Sequence, residues 1–151
     1  MKPKELVSCI IDYLNNNINR FVSLDELALY FGYDKAYMMR LFKKHIGITI
    51  KDYQNNRRII NSISSIYKGD LLLKVALDNG FNSLEYFSEM FTKVVGVNPS
   101  IYKAFLKGEC SKENLVKIEE FLNNTKELNV KLMTYRIYSN KVLRINKKRS
   151  I

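Results

Sequence analysis

Apolar residues recur every three to four positions through the first two-thirds of the chain, the period of helices with one buried face. Leu6, Val7, Ile10, Ile11, Leu14 and Ile18 line one side of a helix predicted over about 4–18. Ser23 with Glu26 three positions later is a capping box, opening a short helix with Leu24, Leu27 and Ala28 inward; Gly32 ends it. Asp34 caps the next helix, which runs to about Ile46 with Met38, Leu41 and Phe42 inward, and Gly47 stops it. A longer helix is predicted over about 50–67, with Ile50, Tyr53, Ile59, Ile60, Ile63 and Ile66 apolar, broken by Lys68-Gly69-Asp70. Three more follow at 71–79, 83–95 and 99–107, the last with Asn98 as cap and Pro99 in its first turn. Ser111 to about Asn123 reads as a further capped amphipathic helix carrying Leu115, Ile118, Phe121 and Leu122. The pattern then changes: Leu128 to Tyr138 alternates as a strand does, Ser139-Asn140 supply a turn, and Val142, Leu143 and Ile145 return. An isolated hairpin is marginal, so this one must pack on the helices, on another subunit or in a further domain.

The helices contain a repeat. Leu24-x-x-Leu27-Ala28-x-x-x-Gly32-Tyr33 recurs 48 positions later as Leu72-x-x-Val75-Ala76-x-x-x-Gly80-Phe81. Leu41-Phe42-x-Lys44-x-x-Gly47 and Tyr53 recur 49 positions later as Met90-Phe91-x-Lys93-x-x-Gly96 and Tyr102. Each unit reads short helix, glycine turn, longer helix, glycine stop, with the turn glycine placed where two helices cross steeply. That is a helix-turn-helix, present twice (about 23–46 and 71–95) and joined by the helix at 50–67. One copy is a weak signal; two copies agreeing at this many positions are a strong one. The fold class expected is all-α: two helix-turn-helix subdomains on a long linker helix, then a small C-terminal helix and a candidate β-hairpin. Residues 1–108 are expected to form the main domain, with 109–151 an extension of unknown role.

These residues resemble the DNA-binding domain of the AraC/XylS family of bacterial transcription regulators. The closest match is Val75-Ala76-x-x-x-Gly80-Phe81-x-Ser83-x-x-Tyr86-Phe87-Ser88-x-x-Phe91-x-Lys93-x-x-Gly96-x-Asn98-Pro99-Ser100-x-Tyr102. The first unit matches through Leu27-Ala28, Gly32-Tyr33, Arg40-x-Phe42-Lys43-Lys44 and Gly47, while Tyr53 and Arg58 fit the linker pattern. The resemblance covers roughly residues 4–107. It implies that each unit places its second helix in a DNA major groove and that the linker fixes the two reading heads. Stand-alone members of the family bind as monomers, which implies control by abundance or by a second polypeptide. Length agrees: a linker of about 17 residues spans roughly 25 Å. With the helix widths at its ends added, the reading helices fall near one duplex turn apart, about 34 Å. Some bending of the duplex would then carry a sequence-dependent cost.

Charge sharpens the picture. Lys and Arg number 25 against 15 acids, a formal +10, which favours a polyanionic partner. Residues 34–68 carry eight bases against two acids and residues 109–151 ten against five. Residues 69–108 balance at four each, and residues 1–33 carry three bases and four acids. The first unit and linker should therefore supply most of the electrostatic grip. Cys9 and Cys110 are far apart in sequence and His45 is the sole histidine, so neither a structural metal site nor a disulfide framework is expected. Nothing surrounds that histidine to suggest a nucleophile–base pair, so neither an enzyme nor a cofactor is expected. No stretch approaches the 18 to 20 apolar residues of a membrane span, and no basic amphipathic helix exposes apolar residues. No leader peptide is evident, so the expected location is the cytoplasm.

The candidate DNA contacts come from the faces opposite the inward residues. On the first reading helix these are Lys35, Ala36, Met39, Arg40, Lys43 and Lys44. Arg40 either grips guanine O6 and N7 or pairs with a phosphate, and base reading is preferred. Ala36 and Met39 suit a thymine methyl, while Lys43 and Lys44 suit phosphates. On the second, Phe87, Met90 and Phe91 are the expected core, leaving Leu84, Glu85, Tyr86 and Glu89 outward. Ser83 either caps the helix or bonds a phosphate, Tyr86 is either a groove contact or partly buried, and Lys93 completes the set. The resemblance implies arginine where Glu89 stands; its carboxylate either accepts from cytosine N4 or weakens this half. Two partner sets follow. In the first, double-stranded DNA is bound by both units of a monomer and RNA polymerase is a further partner, with a dimer through 109–151 as the variant. In the second, only the first unit binds DNA and the second holds RNA polymerase or another regulator.

Overall fold

A computed structural model of the chain describes residues 1–125, all of its regular structure helical; the hairpin expected beyond residue 127 lies outside the described residues. The helices are α1 (Pro3–Asn16), α2 (Leu24–Phe31), α3 (Lys35–Ile46), α4 (Ile50–Lys68), α5 (Leu72–Asp78), α6 (Leu84–Val95), α7 (Pro99–Leu106) and α8 (Lys112–Asn124). Six of them begin on a side chain that accepts from the first-turn backbone: Ser23, Asp34, Thr49, Ser83, Asn98 and Ser111. Each such cap satisfies an orphan N–H, typically worth about 1 kcal/mol, and so pins where its helix starts.

Two local details depart from the sequence reading. Helix α1 stops at Asn16 rather than near residue 18, because Asn17 turns back on it. The Asn17 Nδ2 donates to the Tyr13 carbonyl at 2.8 Å and its backbone N–H to that of Leu14, which leaves Ile18 outside the helix and half-buried. At α2, Ser23 Oγ accepts from the Glu26 N–H as a capping box requires. The Glu26 carboxylate, however, is engaged by Arg20 at 2.6 and 2.8 Å and by the Tyr13 hydroxyl. A charge-assisted pair with a forked guanidinium is stronger than the reach back to a neutral backbone N–H.

The apolar faces close two cores. The first gathers Leu6, Val7, Ile10 and Leu14 of α1, then Val22, Leu27, Met38, Leu41, Phe42 and Ile50. The second gathers Ile59, Ile63 and Ile66 of α4 with Val75, Ala76, Phe81, Phe87, Phe91, Val95, Val97, Tyr102 and Phe105. Its aromatic rings follow one another edge-on or tilted, Phe81–Phe87–Phe91–Tyr102–Phe105, at centroid separations of 5.3–5.9 Å. That geometry matches the ring quadrupoles and adds to plain burial. Helix α8 belongs to this second core, since Ile118, Phe121 and Leu122 are buried in it and α8 packs on α6 and α7.

Helix α4 reaches both cores, with Ile50 in the first and Ile59 onward in the second. Between those stretches its inward side turns polar: Gln54, Asn55 and Arg58 are all buried. Buried polar groups are costly unless bonded; Gln54 and Arg58 each bond to a loop and Asn55 to side chains of α6, while Arg58 Nε is left without a partner among the described residues. Gln54 pairs with the backbone of Val22, accepting its N–H at 3.0 Å and donating to its carbonyl at 2.8 Å. Arg58 donates to the Gly80 carbonyl at 2.7 Å.

Candidate nucleic-acid interface

Helix α3 presents one continuous outward face because its inward face is fully spent. Met38, Leu41 and Phe42 are buried, and Lys35, Ala36, Met39, Arg40, Lys43 and Lys44 are all exposed. Gly32 takes φ +74° between α2 and α3, a conformation that lets the chain swing from the core helix into the outward one. Lys35 does not stand free. Its ammonium sits 2.6 Å from the Asp25 carboxylate of α2, and that hydrogen bond raises its pKa. Arg40 and Lys43 border a cleft of about 480 Å³ between the α1–α2 loop, α3 and the start of α4. Its walls carry Phe21, Leu24, Met39 and Ile50, and Lys51 joins Arg40 and Lys43 at its edge. This face is basic with apolar inlays, a surface suited to phosphates flanked by sugar and methyl groups.

Helix α6 repeats the arrangement with different chemistry. Phe87, Phe91 and Val95 are buried, whereas Leu84, Glu85 and Glu89 are exposed. Met90 is only half-buried, and its Sδ lies 3.5 Å from the Asn55 amide of α4. Ser83 is the cap of α6, its Oγ accepting from the Tyr86 N–H at 3.1 Å. Tyr86 is half-buried: its ring tilts on Phe81 at 5.9 Å and its Oη accepts from Asn55 Nδ2 at 3.2 Å. The hydroxyl therefore ties α6 to α4, and only part of the ring faces outward. Lys93 is exposed at the far end of α6, on a groove shared with α4 and α8. Glu85 and Glu89 leave this face acidic beside the basic face of α3.

Two of the linker's bases are drawn inward. Arg58 is buried on α4, which keeps its guanidinium from reaching any phosphate, and the same burial lowers its pKa. Arg57 donates to the Asn15 side chain of α1 at 3.3 Å. The exposed bases of residues 34–68 thus gather on α3 and the start of α4, with Lys68 apart at the far end of α4. Sequence reasoning placed neither Lys51 nor the buried set Gln54, Asn55 and Arg58 at the site. Lys51 was legible as the first base after the Thr49 cap, where a helix N-terminus already favours anions. Gln54 and Asn55 break the apolar period of α4, which was their signal.

A family model described as a helix-turn-helix domain matches residues 27–104, just over half of the chain. The transcriptional activator AarP of Providencia stuartii is 29% identical over 99 residues, covering 65% of this chain and 73% of AarP. The transcriptional regulatory protein HptR of Staphylococcus aureus is 32% identical over 96 residues, 64% of this chain but only 38% of HptR. Among solved structures, the C-terminal domain of AraT, a response regulator from Geobacillus stearothermophilus, superposes with a TM-score of 0.63 at 22% identity. That match covers 66% of this chain and 84% of the AraT domain. The DNA-binding domain of AdpA, solved in complex with a target DNA, gives 0.62 at 17% identity, covering 67% of this chain and 92% of the AdpA domain. With two helix-turn-helix units, their buried faces and these relatives in hand, the chain belongs to the AraC-type helix-turn-helix family of DNA-binding transcription regulators.

Proposed function

We propose that this regulator reads double-stranded DNA bipartitely, with α3 and α6 entering successive major grooves on one face of the duplex. One observation carries this reading: the same helix pair is built twice against α4, and each second helix buries one face and exposes the other. Arg40 reads a guanine on the α3 side, Ala36 and Met39 meet thymine methyls, and Lys43, Lys44 and Lys51 neutralise phosphates. Lys35 serves only after leaving Asp25. On the α6 side Leu84, Glu85 and the outer part of Tyr86 line the groove, Glu89 accepts from cytosine N4, and Ser83 and Lys93 lie at the phosphates. The protein binds as a monomer in the cytoplasm and works on RNA polymerase from its DNA-bound position. The DNA contacts lie within residues 1–108, and α8 from the part beyond them backs the second unit's core.

The test is guanine N7 methylation protection on a site selected from random duplexes. Protection in two grooves one turn apart is expected; protection confined to one groove would overturn bipartite reading. The exposed acids Glu85 and Glu89 favour one second reading. In it only α3 enters DNA and α6 contacts RNA polymerase or another regulator, and the single protected groove is its distinguishing result.

A further inference from the structure

The extensive helix packings lie within each unit or against α4, so α4 is the main tether between the two reading heads. A second connection closes beside it, and Arg58 is at its centre. Arg58 Nη1 donates to the Gly80 carbonyl in the α5–α6 turn at 2.7 Å, and Nη2 to Asn55 Oδ1 at 2.6 Å. The guanidinium carbon lies 4.4 Å from the Phe81 ring of the second unit and 5.4 Å from the Phe21 ring of the first. Gly80, at φ +82°, presses against the α1–α2 loop itself. A Cβ placed there would sit 2.9 Å from Arg20 Cα and 3.0 Å from Arg58 Nη1. Asn55, oriented by Arg58, passes its amide to Tyr86 Oη in the first turn of α6. Gln54 holds the same α1–α2 loop by both polar atoms of the Val22 backbone.

We infer that Arg58 is a positioning residue that latches the second reading head to the first and thereby sets the half-site spacing the protein accepts, without touching DNA. The inference rests on bipartite reading. Its physical basis is leverage. A contact near the pivot of two outward helices limits their relative rotation, and a small rotation there moves each helix tip by ångströms. Arginine suits the place because one planar group aims two donors in fixed directions while its flat faces meet two rings; a lysine ammonium also donates, but it has neither the rigid fork nor a flat face to stack.

The experiment uses the full chain with Cys9 and Cys110 replaced by serine and nitroxide labels on the exposed faces of α3 and α6. Electron–electron distance distributions are recorded without DNA for the parent, Arg58→Lys, Arg58→Met and Phe21→Ala. Phe21 is half-exposed, so its variant keeps the test alive should Arg58→Met fail to fold. In parallel, affinity is measured for selected duplexes with the half-site spacing native or changed by one or two base pairs. The parent is expected to show one narrow distance and to lose at least tenfold in affinity at a two-base-pair change. Arg58→Met broadens the distance and cuts that loss to within about threefold; Phe21→Ala and Arg58→Lys fall between. A distance distribution unchanged in folded variants overturns the latch. A uniform loss of affinity at every spacing assigns Arg58 to stability alone and also overturns it. A parent that binds one half-site as tightly as two shows that bipartite reading has failed, and the spacing role falls with it while the label distances still report the latch.

Discussion

At the residue scale, the interface separates into side chains that should select sequence and side chains that should only hold. Arg40→Ala is expected to cost about 1–3 kcal/mol and to relax preference at a single base pair. Lys43→Ala should weaken all sequences alike and make the log–log salt slope shallower by about 0.9. Fluorescence titration against a panel of single-base variants at two salt concentrations separates the two, and a uniform loss for Arg40→Ala would reassign it to phosphate. Glu89→Arg, which exchanges an acceptor for a cation, should raise low-salt affinity and move preference from cytosine to guanine at one position. Unchanged affinity and site preference would remove Glu89 from the interface. Away from DNA, Arg20 and Tyr13 hold the Glu26 carboxylate down to about 2, below its ordinary value of 4.5. A depressed carboxylate stabilises the fold above its unfolded pKa, so this contribution is present above about pH 4.5 and fades as pH falls toward 2. The pair is partly open to solvent, with Arg20 about half exposed, so screening keeps the effect small. Thermal melts across pH 2–6 should show a shallower acid slope in Glu26→Gln than in the parent.

At the element scale, α8 is the clearest addition to what the repeat alone describes. Ile118 is fully buried against the aromatic core of the second unit. Ile118→Ala is expected to cost about 2–5 kcal/mol, read as a fall in denaturant midpoint, because the side chain leaves a cavity in a packed site. A change below about 0.5 kcal/mol would mean that α8 is dispensable to that core. The helices themselves were legible because capping residues and period agree: seven of the eight lie within about one residue of the ranges read from sequence. The exception in part is α1, where Asn17 diverts the backbone before the apolar period ends. The outward residues of α3 were legible for the same reason, since a strict inward triad leaves only one other face. Tyr86 was not legible beyond a choice between groove contact and partial burial, because nothing local to its helix announces an amide arriving from α4. Nor was the withdrawal of Arg58, which as a charge in a basic segment looks like its neighbours. Only the tertiary contact with Gly80 and two aromatic rings distinguishes it.

For the molecule as a whole, charge and shape are distributed unequally over two similar heads. Replacing Lys43, Lys44 and Lys51 together by alanine should reduce the salt slope of binding by roughly 2.7, whereas Lys93→Ala should change it by less than about 0.9. Comparable slopes from the two heads would contradict the reading that the first head supplies most of the electrostatic grip. The two cores also differ in how far along the chain their parts are spread. The first draws on nothing beyond Tyr53, whereas the second needs Ile118, Phe121 and Leu122. Translation proceeds at about 5–20 residues per second, so roughly 3–14 s separate the moments when the ribosome has supplied each set. The nascent polypeptide therefore carries a finished basic head while its sister is still short of its last wall, and the order of synthesis prescribes the order of assembly.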